Sequence, residues 1–171
     1  GRETAMYGIV YALLSKQRLV TLVGNEGVGC SSLALAVCHY IKERLNTILS
    51  IDDVLYIKLV KDTSDIHEVL LQPLFEMLGD VGVITSSGAS EQYSICDALK
   101  HSKFLIVLDD VDRLNHSALH NFLQELFGKS EAVRVMLISL KPFNFLSSSV
   151  NEECIVVEPL DNEWSARLFS E

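Results

Sequence analysis

Residues 24–31 read Gly24-Asn25-Glu26-Gly27-Val28-Gly29-Cys30-Ser31. The spacing is that of a phosphate-cradling loop, G-x-x-x-x-G-K-[ST], with Cys30 standing where the pattern has lysine. Glycines let the backbone curl tightly and aim its N–H groups at an anion. A helix starting at the end of such a loop points its positive dipole end at the same spot. The absent lysine is the cation that would reach the β- and γ-phosphates.

Working outward from the loop, Arg18 to Val23 is apolar enough to predict a buried strand running into it. Ser32 to Leu45 predicts a helix with Leu33, Ala36, Val37, Tyr40 and Ile41 inward. Strand, glycine loop and helix in that order is the context the motif needs. Upstream, residues 4–17 space Met6, Ile9, Val10, Leu13 and Leu14 on one helical face. Downstream, strands are expected at Val54–Val60, Phe104–Leu108, Val133–Ile138 and Cys154–Val157. Helices are expected at 65–78, which Pro73 must kink or divide, and at 91–101, 117–127 and 161–170, the last capped by Asp161. Gly79 to Ser90 reads as a loop. Strands alternating with helices imply an α/β domain, with parallel strands and helices on both faces. Ligands of such sheets gather at the carboxyl ends of the strands. The glycine loop, Asp109-Asp110 and Ser139 all fall there.

Those positions suggest roles. The amides of Gly24, Asn25, Gly27, Val28, Gly29, Cys30, Ser31 and Ser32 are the candidate phosphate cradle. Ser31 has the hydroxyl placed for Mg²⁺, and Asp109 is placed to hold the same ion through water. Ser32 can cap the helix or touch an α-phosphate. Asp110 is the candidate to orient an attacking water. Cys30 removes a positive charge and Glu26 adds a negative one, and both work against a polyanion.

Composition narrows the classes. The chain has 171 residues, 49% apolar and 22% charged, which suits one domain with a hydrophobic core. Its 14 Lys and Arg against 23 Asp and Glu give a formal charge of −9. A broad nucleic-acid footprint needs a basic stripe, so no nucleic-acid partner is expected. No apolar run is long enough to span a bilayer, so no membrane partner is expected either. Cys30, Cys38, Cys96 and Cys154 form no C-x-x-C pair and read as free thiols in a reducing, cytoplasmic compartment. His116 and His120 are four apart on a helix but lack a third ligand, so a solvated helix face is expected. Cys38 and His39, as helix neighbours, point apart, and Cys38 is expected in the core.

With these residues in hand, the chain resembles the NB-ARC family, the P-loop switch ATPases of signal-transducing proteins such as plant immune receptors and apoptotic protease-activating factor. Gly1-Arg2-Glu3 looks like the family's opening motif, and Arg18 to Ser32 like its first strand and Walker A loop. Phe104 to Val111 is similar to its Walker B strand, Val133 to Lys141 to its next strand and sensor, and Val157 to Phe169 to the segment closing the core domain. The resemblance implies a three-layer P-loop NTPase fold with five parallel strands in the order 5-1-4-3-2. It also implies that Arg2 helps hold a nucleotide and that Lys141 falls where a γ-phosphate-sensing Arg is expected. Residues 1–171 would then be a single NB-ARC-like core domain, a fragment of a larger multidomain protein.

The function this implies is a switch module of an intracellular signalling protein. It would bind ADP or ATP with Mg²⁺, with weak or absent hydrolysis, with neighbouring domains of the parent chain as partners and self-association on activation. The alternative is a pseudo-NTPase, an interaction or oligomerisation scaffold that no longer binds nucleotide.

Overall fold

In a computed structural model of the chain, residues 2–15, 17–45, 51–59, 65–83 and 91–160 are described. Five short apolar runs become strands: β1 (Leu19–Val23), β2 (Val54–Lys58), β3 (Leu105–Asp109), β4 (Arg134–Ser139) and β5 (Glu152–Val156). They form one sheet in the order β2-β3-β4-β1-β5, every pair parallel. This is the expected order. The Walker B-like strand β3 is separated from β1 by β4, so the loop after β1 reaches over β4 to meet the end of β3.

The period of two residues along each strand sorts side chains into two cores. On β3, Leu105 and Val107 face one side, Ile106 and Leu108 the other. On β4, Met136 and Ile138 join the first set, Val135 and Leu137 the second. Helices α1 (Glu3–Leu14) and α2 (Cys30–Lys42) cover the first face, with Ile9, Leu13, Leu33, Val37 and Ile41 buried against it. Helices α3 (Gln72–Asp80), α4 (Glu91–Ala98) and α5 (His116–Lys129) cover the second. Strands buried on both faces must be apolar throughout, and β1 and β3 are buried at all five positions.

Several boundaries differ from the sequence reading, each for a local reason. Helix α1 ends at Leu14 because Ser15 turns extended, its amide bonding Tyr11 O and its hydroxyl bonding Ala12 O. Helix α2 starts at Cys30, two residues before the expected Ser32, because the left-handed Gly29 is its N-cap. Helix α5 starts at His116, where the Asn115 side chain accepts from the Ala118 amide. Pro73 divides its segment as expected. It has no N–H to give to Val69, and the turn before it widens into a π-helix at His67–Leu71 that continues as α3. Helix α3 runs on to Asp80, taking in Gly79 from the expected loop. Positions 84–90 of that loop, and the helix expected at 161–170 with its cap Asp161, lie outside the described residues. Among the described residues no helix is long and apolar enough to cross a membrane.

Candidate functional site

The turn from β1 into α2 is built on glycine. Gly27 and Gly29 have φ of 79° and 96°, a region that side chains strain to enter. Gly24 is required for space: a Cβ there would lie 2.6 Å from Val28 Cγ1 and 2.7 Å from Cys30 Sγ. The Gly24 amide donates to Ser139 O, which ties the loop to the end of β4. The first intrahelical bond of α2 is from Leu33 N to Gly29 O. The amides of Cys30, Ser31 and Ser32 therefore lie in the first turn, where helix geometry supplies no acceptor.

These amides face a cleft of about 470 Å³. It is lined on the loop side by Gly24, Asn25, Glu26, Gly27, Gly29, Cys30, Ser31 and Ser32, and on the other by Asp110, Asp112, Arg113, Ile138, Ser139 and Leu140. Loop, β3 turn and β4 end thus meet at the carboxyl edge of the sheet. Asp110 sits in the left-handed region, φ 64° and ψ 44°. That turn sends consecutive carboxylates different ways: Asp109 is fully buried, whereas Asp110 lines the cleft. Non-glycine residues held in this region cost on the order of 1 kcal/mol or more and collect at functional sites.

Asp109 is the most heavily bonded acid in the molecule's site region. Its Oδ1 accepts from Ser31 Oγ at 2.9 Å and its Oδ2 from the Tyr56 hydroxyl at 2.7 Å. Lys58 Nζ lies 3.8 Å from Oδ2. Burial, and then donation to Asp109, push the Tyr56 phenol far above its ordinary value, so it stays a donor. Ser31 and Asp109, a hydroxyl and a carboxylate held together, are the oxygen donors a hard cation such as Mg²⁺ takes. The donor set fits. Among the described residues no cluster of three or more His, Cys, Asp or Glu is placed to hold a metal unaided, so phosphate and water oxygens would complete the shell.

The other expected residues fall as follows. Cys30 is buried at the cleft floor. Desolvation raises its pKa, so it is a neutral thiol and brings the cleft no charge. Arg2 donates to Val28 O and to Glu158 O, spending two donors on main-chain carbonyls. It clamps the loop rather than lining the cleft, and Val28 is its anchor. Lys141 lines a second cavity of about 510 Å³ with Pro142, Phe143 and His116. The structure does not bring it to the loop cleft, although Asp112, Ser139 and Leu140 line both.

Sequence reasoning missed four residues here. Asp112 and Arg113 follow the aspartate pair and line the cleft. The signal was their place in the same strand-to-helix turn. Tyr56 and Lys58 end β2, and the signal was a lysine at the carboxyl end of a strand beside β3. Of the histidine pair, His116 is exposed as expected and His120 is half-buried, and both rings pack on neighbouring aromatics. His116 Nε2 is 2.8 Å from Phe143 O with its ring stacked on Phe143, and His120 packs on Phe145. Cys38 is in the core as expected, whereas Cys154 is exposed on the edge strand.

No curated protein matches the chain. Solved structures do, at the level of the fold. The Orc1 protein of Aeropyrum pernix, solved in complex with DNA, superposes at a TM-score of 0.69 with 18% identity, over 99% of this chain and 48% of that one. A signal transduction ATPase with numerous domains and a tetratricopeptide repeat sensor, from Pyrococcus horikoshii, superposes at 0.55 with 15% identity, over 98% and 24%. Drosophila ORC bound to AT-rich DNA and Cdc6 gives 0.57 and 14%, over 99% and 62%. The chain thus spans about half of the Orc1 chain and about a quarter of the signal transduction ATPase. The NB-ARC domain profile matches residues 2–171, and it takes in the loop, the β3 aspartates and the end of β4 that the fold brings to one cleft. This chain belongs to the NB-ARC domain family of P-loop nucleotide-binding modules.

Proposed function

We propose that the domain is a nucleotide-dependent switch. It takes ADP or ATP on the Gly24–Ser32 loop, hydrolyses it slowly or not at all, and uses the bound state to bias packing against neighbouring domains of a larger signalling protein. The observation that carries this reading is the open first turn of α2 facing a cleft of about 470 Å³. In it Asn25, Gly27, Gly29, Cys30, Ser31 and Ser32 hold phosphate through their amides, whereas the expected amides of Gly24 and Val28 are spent on Ser139 O and Asn25 O. Arg2 and Val28 keep the loop in shape, and Asp110 orients water. The P-loop family generally binds nucleotide with Mg²⁺. Ser31 and Asp109 would hold the ion, which when bound supplies charge neutralisation at the phosphates. Cytoplasmic placement and self-association on activation belong to the same reading. Calorimetry and thermal shift with ADP and ATP test it. A ligand at about a hundred times its Kd stabilises by about 2.7 kcal/mol, so the absence of both heat and shift at millimolar nucleotide would overturn the proposal.

A second reading is a scaffold that has lost its nucleotide. It is favoured by the uncharged Cys30 thiol and, among the described residues, by three acids at the cleft, Glu26, Asp110 and Asp112, against one lining cation, Arg113. Cys30→Lys separates the two. Restored binding supports an intact cradle, and continued silence supports the scaffold.

A further inference from the structure

Asp109 and Lys58 are register partners on β3 and β2. Tyr56 lies two residues before Lys58, so both side chains leave the strand on one face. They converge on the same carboxylate oxygen, Oδ2, while Ser31 takes Oδ1. A carboxylate with no exposed surface must be neutralised and hydrogen-bonded. Here one ammonium supplies the charge and two hydroxyls supply the bonds. A divalent cation with oxygen ligands would meet the same two needs. Ser31 lines the cleft and Asp109 does not, so an ion in the cleft would compete for Asp109 with groups already seated behind it.

We propose that Tyr56 and Lys58 form a metal surrogate on Asp109, standing in for the ion that Ser31 and Asp109 would otherwise hold, so that the cleft accepts a nucleotide's phosphates even without divalent metal. Neither residue suffices alone. The Tyr56 hydroxyl brings no charge. The Lys58 side chain is 52% exposed, and a solvated ammonium at this distance is screened. Together they leave Asp109 satisfied, and metal entry has to release Lys58 and share the oxygen held by Tyr56. The choice of ligand rests on the nucleotide reading above; the state of Asp109 does not.

The test uses the 171-residue chain with two probes. Mn²⁺ binding is followed by electron paramagnetic resonance without nucleotide, and ADP affinity by calorimetry in Mg²⁺ and in EDTA. For the wild type, little Mn²⁺ binding and an ADP affinity that changes less than about twofold on chelation are expected. Tyr56→Phe/Lys58→Met should bind Mn²⁺ and show an ADP affinity about tenfold or more weaker in EDTA than in Mg²⁺. Tyr56→Phe alone should move part of the way, and it serves as the readout if the double variant melts early. Wild-type ADP binding that collapses in EDTA overturns the inference, as does Mn²⁺ binding that is equal in wild type and variant or absent from both. ADP binding by no form under either condition defeats the nucleotide reading instead, and Mn²⁺ gain by the variant then still upholds the surrogate.

Discussion

Asp112 joins the turn after β3 to the end of β4: its carboxylate accepts from the Ser139 hydroxyl at 3.0 Å and from the Leu140 amide at 2.8 Å. Both elements line the cleft, so its width depends on this acid. The bonds are near solvent, and a net contribution of about 1 kcal/mol is expected from the pair. Asp112→Ala should lower the urea-unfolding free energy by about that much, and Asp112→Asn, which keeps one acceptor, by less.

Cys30→Lys should tighten nucleotide binding. A charge-assisted hydrogen bond is worth about 1.5–3 kcal/mol, or roughly ten- to a hundredfold in Kd. Calorimetry with ADP reads it. A Kd unchanged from wild type would mean that the cradle does not present phosphate to position 30.

Gly24→Ala should damage the loop more than its size suggests. The added methyl would meet Val28 Cγ1 and Cys30 Sγ at under 3 Å and Val157 O at 3.2 Å. Overpacking of this kind costs about 1–3 kcal/mol. A lowered melting temperature and lost ADP heat are expected together. Normal ADP binding by this variant would show that the loop has another conformation available.

Glu152 predicts an acid-sensitive β5. Burial pushes its carboxyl up, but donation from Thr21, the Phe145 amide, Cys154 and the Phe143 amide outweighs this and leaves the pKa lowered. A group depressed in the folded state adds stability that is present above its unfolded value. That stability is lost as pH falls through the folded value. The loss therefore falls below the ordinary glutamate range, under about pH 4.5. Urea midpoints from pH 6 to 3 should decline in the wild type and decline less in Glu152→Gln. Parallel declines would count against this role.

Turnover should be near background. Asp110 lines the cleft, where on the proposed reading it would orient water, but Cys30 supplies no cation and Lys141 lines the neighbouring cavity. A deficit of a few kcal/mol in preorganised charge lowers the rate by roughly 10²–10³. A phosphate-release assay checks it. Robust turnover abolished by Asp109→Ala would show that charge reaches the phosphates from elsewhere, with Arg113 the first residue to examine.

What was legible in the chain was whatever its neighbours in sequence determine. Arg18 to Ser32 sets strand, glycine turn and helix almost alone, and the unbroken apolar run before Asp109 marks a strand covered on both faces. Boundaries that depend on one capping group were less legible: Gly29 starts α2 early, and Asn115 does the same for α5. Least legible were contacts made by register. The expected order already put β2 beside β3, but nothing near Tyr56 or Lys58 in sequence gives the register that sets both against Asp109. Lys141 shows the converse. Its position after β4 suggested the cleft, but the chain turns at Leu140 and carries it over to the Phe143 side.

Strand β1 has no early partner. β1 pairs only with β4 and β5 among the described strands, Leu19 lying opposite Val135 and Glu152, and Thr21 finds Glu152 131 residues further on. During synthesis, therefore, Leu19 to Val23 leaves the ribosome as an apolar ribbon long before either neighbour exists. Such non-local pairing is slow and exposes sticky surface while it waits. The glycine loop inherits that delay, because the Gly24 amide closes onto Ser139. Nascent chains cut before residue 139 should lack the cleft and depend on chaperones, and the ligand-binding surface should form only after β4 has emerged.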